Sequence, residues 1–179
     1  MKITETPLPG VLLLELDSFP DDRGRFFEVF HAGRYEGLGR SPTFVQDSFS
    51  SSRQGVLRGL HFQYPRPQGK LVQVLRGRIF DVAVDLRRSS PHFRQWFGIE
   101  LSSERPCQLW IPPGFAHGFC TLTDVDFFYK CTDVYAPACD QAVRWNDPDL
   151  AITWPVAEPL LSAKDSAAPL LRDLANLPP

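Results

Sequence analysis

The sequence has no apolar run near the roughly 20 residues that a membrane-spanning helix needs, so no such helix is expected. It has no excess of either charge. Nineteen basic against 21 acidic residues leave a net −2, which argues against a nucleic-acid partner while leaving room for a local basic pocket. Cysteine is scarce: Cys107, Cys120, Cys131 and Cys139 include no CxxC pair, so reduced, mostly buried thiols in a cytoplasmic protein are expected. The opening residues Met1-Lys2-Ile3-Thr4-Glu5 show no basic start followed by an apolar stretch, so no signal peptide is expected. Repeats, low-complexity tracts, clear linkers and Gly-rich dinucleotide loops are missing as well.

What is present points to sheet. Seventeen prolines and 12 glycines run the length of the chain and leave little room for long helices, while 14 phenylalanines and four tryptophans favour pleated packing. Short apolar runs recur between turn signals: 11–16, 26–30, 56–63, 71–75, 79–86, 96–101, 108–111, 118–123 and 127–135. In 79–86 the alternation is strict, with Phe80, Val82, Val84 and Leu86 on one face and Asp81 and Asp85 on the other. Some ten strands at this spacing predict an all-β antiparallel sandwich or barrel. Helix is expected only near 33–38 and 167–175. At 179 residues the chain suits one domain, 1–179, with a core barrel over about 40–140 and an irregular C-terminal cover.

Several segments could carry chemistry. Pro112-x-Gly114-x-x-His117 resembles the second signature of cupin barrels, in which a rigid bend aims a histidine; a hairpin corner with a packed histidine is the plainer alternative. Gly55-Val56-Leu57-Arg58-Gly59-Leu60-His61-Phe62-Gln63 lies where a cupin's first metal signature would lie. However, Gln63 stands two residues beyond His61, and no Asp or Glu follows before Asp81. His61 and His117 alone are too few ligands for tight metal binding, so a metal-free barrel is expected, with His61 available as a base. Strict alternation would put Arg58 and His61 on opposite faces, so a shared cavity requires a bulge, most naturally at Gly59. Tyr129 is a candidate proton donor or a core tyrosine, and Tyr135 is an alternative donor or a stacking platform. Asp165, in Leu161-Ser162-Ala163-Lys164-Asp165, can orient a histidine or simply belong to a capped turn. Arg23, Arg58, Lys70 and Lys164 would clamp a diphosphate if they converged.

Taken together, Asp22-Arg23-Gly24-x-Phe26-x-Glu28, the Val56–Gln63 segment, Gln68-Gly69-Lys70-Leu71-Val72, Ile111–Phe119, Tyr129-Lys130, Trp145-Asn146-Asp147-Pro148 and Leu161-Ser162-x-Lys164-Asp165 resemble the dTDP-4-dehydrorhamnose 3,5-epimerase family. The resemblance runs from about residue 5 to about residue 171. It implies a cupin-like jelly roll, a homodimer with an exchanged strand, a dTDP-linked 4-keto-6-deoxy sugar as substrate, and no metal or organic cofactor. It assigns His61 as base, Tyr129 as acid, Asp165 as the partner of the histidine, and Lys70 as a substrate contact; of the cations, Lys70 is the one expected to stabilise an enolate at O4. Arg23, Glu28, Gln46, Ser48, Arg58, His117, Asp140 and Lys164 match substrate-contacting positions, and Tyr135 matches an aromatic that stacks on thymine. Two positions depart from the family pattern: Ser48 stands where Asn is common and Asp140 where Glu is common. Inversion at one carbon only, or a 3,4-ketoisomerase reaction, are the competing expectations.

Overall fold

The computed structural model describes residues 1–36, 38 and 43–179. Among the described residues there are thirteen strands. Five precede the central segment: β1 (Lys2–Glu5), β2 (Leu12–Glu15), β3 (Phe19–Asp21), β4 (Gly24–Phe26) and β5 (Gln46–Ser52). Seven build most of the sheets: β6 (Leu57–Gln63), β7 (Lys70–Arg76), β8 (Arg78–Asp85), β9 (Trp96–Ser102), β10 (Cys107–Ile111), β11 (Phe115–Thr121) and β12 (Val125–Cys131). A short β13 (Asp140–Ala142) and a single α-helical turn, α1 (Ala163–Ser166), complete the set.

Two antiparallel sheets face each other as a cupin-like jelly roll, with strand orders β1-β2-β10-β7-β12-β5 and β13-β6-β11-β8-β9. The core between them is built from inward-facing side chains of both sheets, including Val72, Leu109 and Phe127 of the first and Ile79, Leu101 and Phe119 of the second. The alternation in β8 decides what its two faces do. Val82 and Val84, with Phe80 beside them, face away from that core and pack under a C-terminal cover contributed by Val143, Leu150, Leu171 and Leu177. The outer face of the first sheet is covered in the same way, with Tyr35 and Leu38 lying over Leu14, Leu71 and Trp110.

The structure corrects some sequence expectations. No strand forms over 27–30, where Phe30 turns onto the rings of Tyr35 and Phe44 instead of pairing. The expected helix at 33–38 is a 3₁₀ turn at Ala32–Arg34, and residue 37 lies outside the described residues. Within 167–175, where a helix is expected, only a 3₁₀ turn at Leu171–Asp173 forms, and α1 ends before it at Ser166, because the prolines and apolar anchors of this cover do not allow a longer run. All four cysteines are free, and Cys107, Cys120 and Cys131 are buried.

The bulge at Gly59 is present. Across β11 and β6, His117 pairs with His61 while Phe119 pairs with Arg58, so β6 spends one extra residue over this stretch. Gly59 takes φ +131, and a Cβ there would lie 2.5 Å from Gly118 Cα. Only glycine meets both conditions. Gly59→Ala should therefore cost about 2 kcal/mol or more by overpacking and backbone strain. Urea unfolding checks this; an unchanged midpoint would show that the close approach can relax.

Candidate active site

A cavity of about 320 Å³ opens between the sheets, and side chains from both line it. Sheet two contributes His61 from β6 and Asp140 from β13. Sheet one contributes Gln46 from β5, Lys70 from β7, and Tyr129 and Cys131 from β12. Tyr135 and Lys164 close the rim. A larger cavity of about 640 Å³ lies elsewhere, against Trp110, Pro112 and Pro113, and among the described residues its walls carry no histidine, tyrosine or lysine. The smaller one is the candidate site.

His61 is the best-supported group. Its Nε2 lies 2.5 Å from Asp165 Oδ1. Asp165 is 3% exposed and sits in the first turn of α1. Ser162 caps that turn by accepting from the Asp165 N–H at 3.0 Å, and its hydroxyl donates back to Asp165 Oδ2 at 2.8 Å. The capped-turn reading and the histidine-partner reading therefore both hold: the cap aims the carboxylate. Burial alone would raise Asp165, but the bond to and charge of His61, together with Ser162 and Lys164, hold it below the usual carboxylate range. With Nε2 engaged, Nδ1 is the nitrogen left to take up a proton.

Tyr129 and Lys70 approach from the opposite sheet. Burial raises the Tyr129 phenol, while Ser48 and the charge of Arg58 pull it back down. Desolvation lowers the half-buried Lys70 ammonium, opposed by Cys131, Asp140 and Asp81. At the rim, Tyr135 donates its hydroxyl to Asp140 Oδ2 at 2.9 Å and its backbone N–H to Gln46 Oε1 at 2.7 Å. Lys164 pairs with the same Asp140 oxygen. Short as it is, Asp140 reaches both partners and holds the exposed Tyr135 ring at the mouth.

Other sequence candidates lie outside the cavity wall. His117 stands beside His61 in register but turns into the core, with Nε2 2.9 Å from Asp81 Oδ2 and its ring stacked on Phe127. Arg58 is exposed and donates to Ser52 Oγ at 3.1 Å. Arg23 pairs with Asp21 on the projecting β3–β4 hairpin, and its side chain is 89% exposed. Glu28 pairs with Arg34 at 3.0 Å. Ser48 does not line the cavity but accepts from Gln46 Nε2 at 3.1 Å.

Two participants were missed by sequence reasoning. Asp81, which is 0% exposed, is the partner of His117; its signal was a carboxylate on the inner face of a strand whose other face is wholly apolar. Gln63, at the position where a metal cupin carries its second histidine, ties down the rim loop. Its Oε1 accepts from the Ala136 N–H at 2.8 Å, and its Nε2 donates to the Arg66 carbonyl at 3.0 Å. Among the described residues no three His, Cys, Asp or Glu side chains converge as metal ligands do.

The family profile described as dTDP-4-dehydrorhamnose 3,5-epimerase matches residues 5–173. The chain belongs to this family. A dTDP-4-dehydrorhamnose 3,5-epimerase of Salmonella typhimurium is 52% identical over 175 residues, 96% of each chain. The crystal structure of the Legionella pneumophila dTDP-6-deoxy-D-glucose-3,5-epimerase in complex with dTDP-4-keto-L-rhamnose superposes with a TM-score of 0.95. It is 50% identical and covers 99% of this chain and 97% of its own. A dTDP-4-dehydrorhamnose 3-epimerase of Streptomyces niveus is 38% identical over 184 residues, 99% of this chain and 89% of its own. Relatives named as 3,5-epimerases and one named as a 3-epimerase thus both align over nearly the whole chain, the former at 50–52% identity and the latter at 38%.

The depressed Asp165 carboxyl links charge to folding. Its contribution to stability is complete above about pH 4, the unfolded value, and is lost as the pH falls through the lower folded value. Asp165→Asn should therefore be less stable than the wild type at pH 6, with the gap narrowing as the pH approaches 2.5. Urea unfolding at both pH values checks this; a constant gap would show that Asp165 acts as a neutral hydrogen-bonding group.

Proposed function

We propose that this chain is an isomerase that inverts C3 and C5 of dTDP-4-dehydro-6-deoxyglucose to give dTDP-4-dehydrorhamnose, with no metal or organic cofactor. One observation carries the reading. An imidazole paired with a buried carboxylate and a half-buried phenol reach one cavity from opposite sheets, and a lysine ammonium lines the same cavity.

The C4 ketone acidifies the C–H bonds on either side of it. His61, held by Asp165, removes one of these protons, and the electron pair moves into an enolate with its charge on O4. Lys70 stabilises that charge; one such preorganised donor is worth about 3 kcal/mol. Tyr129 then protonates the carbon from the other face, so the configuration inverts; His61 gives its proton to water and the Tyr129 phenolate takes one back, which resets the pair for the next inversion. Acid–base groups of this kind contribute about 10²–10⁴-fold each. The Tyr135 ring at the mouth is suited to stacking on a flat pyrimidine base, and Lys164 beside it to a phosphate.

The reading includes a homodimer in the cytoplasm. Phe19 and Phe26, 61% and 68% exposed, pack on one another on the β3–β4 hairpin, which presents an apolar face with Arg23 at its tip. Seated on a partner, that hairpin would deliver Arg23, and Glu28 near it, to the partner's cavity, which explains why neither lines the cavity of its own chain.

In D₂O, His61→Ala should abolish deuterium uptake into the substrate, whereas Tyr129→Phe should keep uptake and lose inversion. Counting the labelled carbons by NMR after reductive trapping separates double from single epimerisation; unchanged exchange in His61→Ala would remove it as the base. Mixing Arg23→Ala with His61→Ala chains should restore activity, because one site of each mixed dimer is then complete. Absence of recovery would place Arg23 in its own chain's site or in none.

A further inference from the structure

Strand β5 alternates: Gln46, Ser48, Ser50 and Ser52 turn inward, and Asp47, Phe49 and Ser51 turn to solvent. Its pairing with β12 places Ser48 directly opposite Tyr129 and Gln46 opposite Cys131. The polarity of the hydrogen bonds along this edge follows from one group. The Tyr135 backbone N–H can only donate, so the Gln46 side-chain atom 2.7 Å from it is the carbonyl oxygen. The amide nitrogen therefore lies at the other end, and it donates to Ser48 Oγ at 3.1 Å. A hydroxyl that already accepts from an amide keeps its own hydrogen to give. The residue directly across the strand is Tyr129, whose phenol shares this inward face.

We infer that Ser48 is a positioning residue for Tyr129: oriented by Gln46 and the Tyr135 backbone, it donates to the phenol oxygen and stabilises the phenolate left when the proton departs. The inference rests on the reading of Tyr129 as the acid, but the contact itself can be measured without substrate. It also links the mouth of the cavity to the proton donor. Whatever moves the 135 backbone turns the Gln46 amide, and with it the hydroxyl facing Tyr129. The direction of the Ser48 effect on the phenol, downward against the upward push of burial, agrees with this polarity.

The test uses the full-length protein labelled with ¹³Cζ-tyrosine, free of ligand, with the Tyr129 resonance assigned by its loss in Tyr129→Phe. Ser48→Ala should move the Tyr129 titration upward by about one pH unit, and Ser48→Thr, which keeps the hydroxyl, should leave it near the wild-type position. With the sugar nucleotide in D₂O, Ser48→Ala should keep deuterium uptake and KM within about twofold while inversion falls about tenfold and its alkaline limb shifts upward; Ser48→Thr should recover most of the inversion. A Tyr129 titration unmoved in Ser48→Ala would overturn the inference, as would a raised KM at constant kcat, which would make Ser48 a substrate contact. Full-rate inversion by Tyr129→Phe would instead overturn the acid assignment while the titration still reports on Ser48.

Discussion

The bond between His61 and Asp165 joins parts of the chain 104 residues apart, and most of the site's geometry depends on it. An imidazole on a strand can swing about two torsions. Here a buried carboxylate fixes the ring, and the carboxylate is itself fixed by the cap of a four-residue helix. So short a helix has almost no intrinsic stability. It persists because the C-terminal segment is fastened along the outer face of the second sheet by Val143, Leu150, Leu171 and Leu177. The apolar face of β8 thus holds the Asp165 carboxylate in place from behind, and the inner face of the same strand holds His117 through Asp81. Core packing and site geometry share one strand and use its alternation to stay apart.

The opposite wall is built differently. Tyr129, Lys70 and Gln46 lie on three adjacent strands, β12, β7 and β5, whose register sets their spacing without any helix or long loop. Burial raises the phenol and lowers the ammonium, disfavouring the charged form of each. On the other wall the Asp165 carboxyl moves the other way. The cavity is therefore polarised: it holds negative charge behind His61 and disfavours charge on Tyr129.

Much of this was legible from residue types alone. The alternation over 79–86 gave both the strand and its two faces. The glycine between Arg58 and His61 gave the bulge, since only an extra residue lets those two side chains share a face and only glycine tolerates the crowding beneath it. Strand β5 was not legible: Gln46-Asp47-Ser48-Phe49-Ser50-Ser51-Ser52 has few β-formers and takes its shape from pairing with β12. The stretch 167–175 was read as a longer helix because local propensity does not register anchors supplied by another sheet. Convergence of Lys70, Asp140 and Lys164 is a property of topology, and no spacing in the chain encodes it. The inward turn of His117 depended on Asp81, which is distant in sequence but adjacent through the sheet.

Gln63 narrows what this barrel could become. The side-chain slot two residues past His61, which other cupins give to a metal, is occupied here by an amide that clasps the carbonyl of Arg66 and the N–H of Ala136. A histidine in that slot would gain a ligand and release the segment that carries Tyr135. More than one substitution is therefore needed at this slot: the loop has to find a new fastening before Gln63 can be replaced.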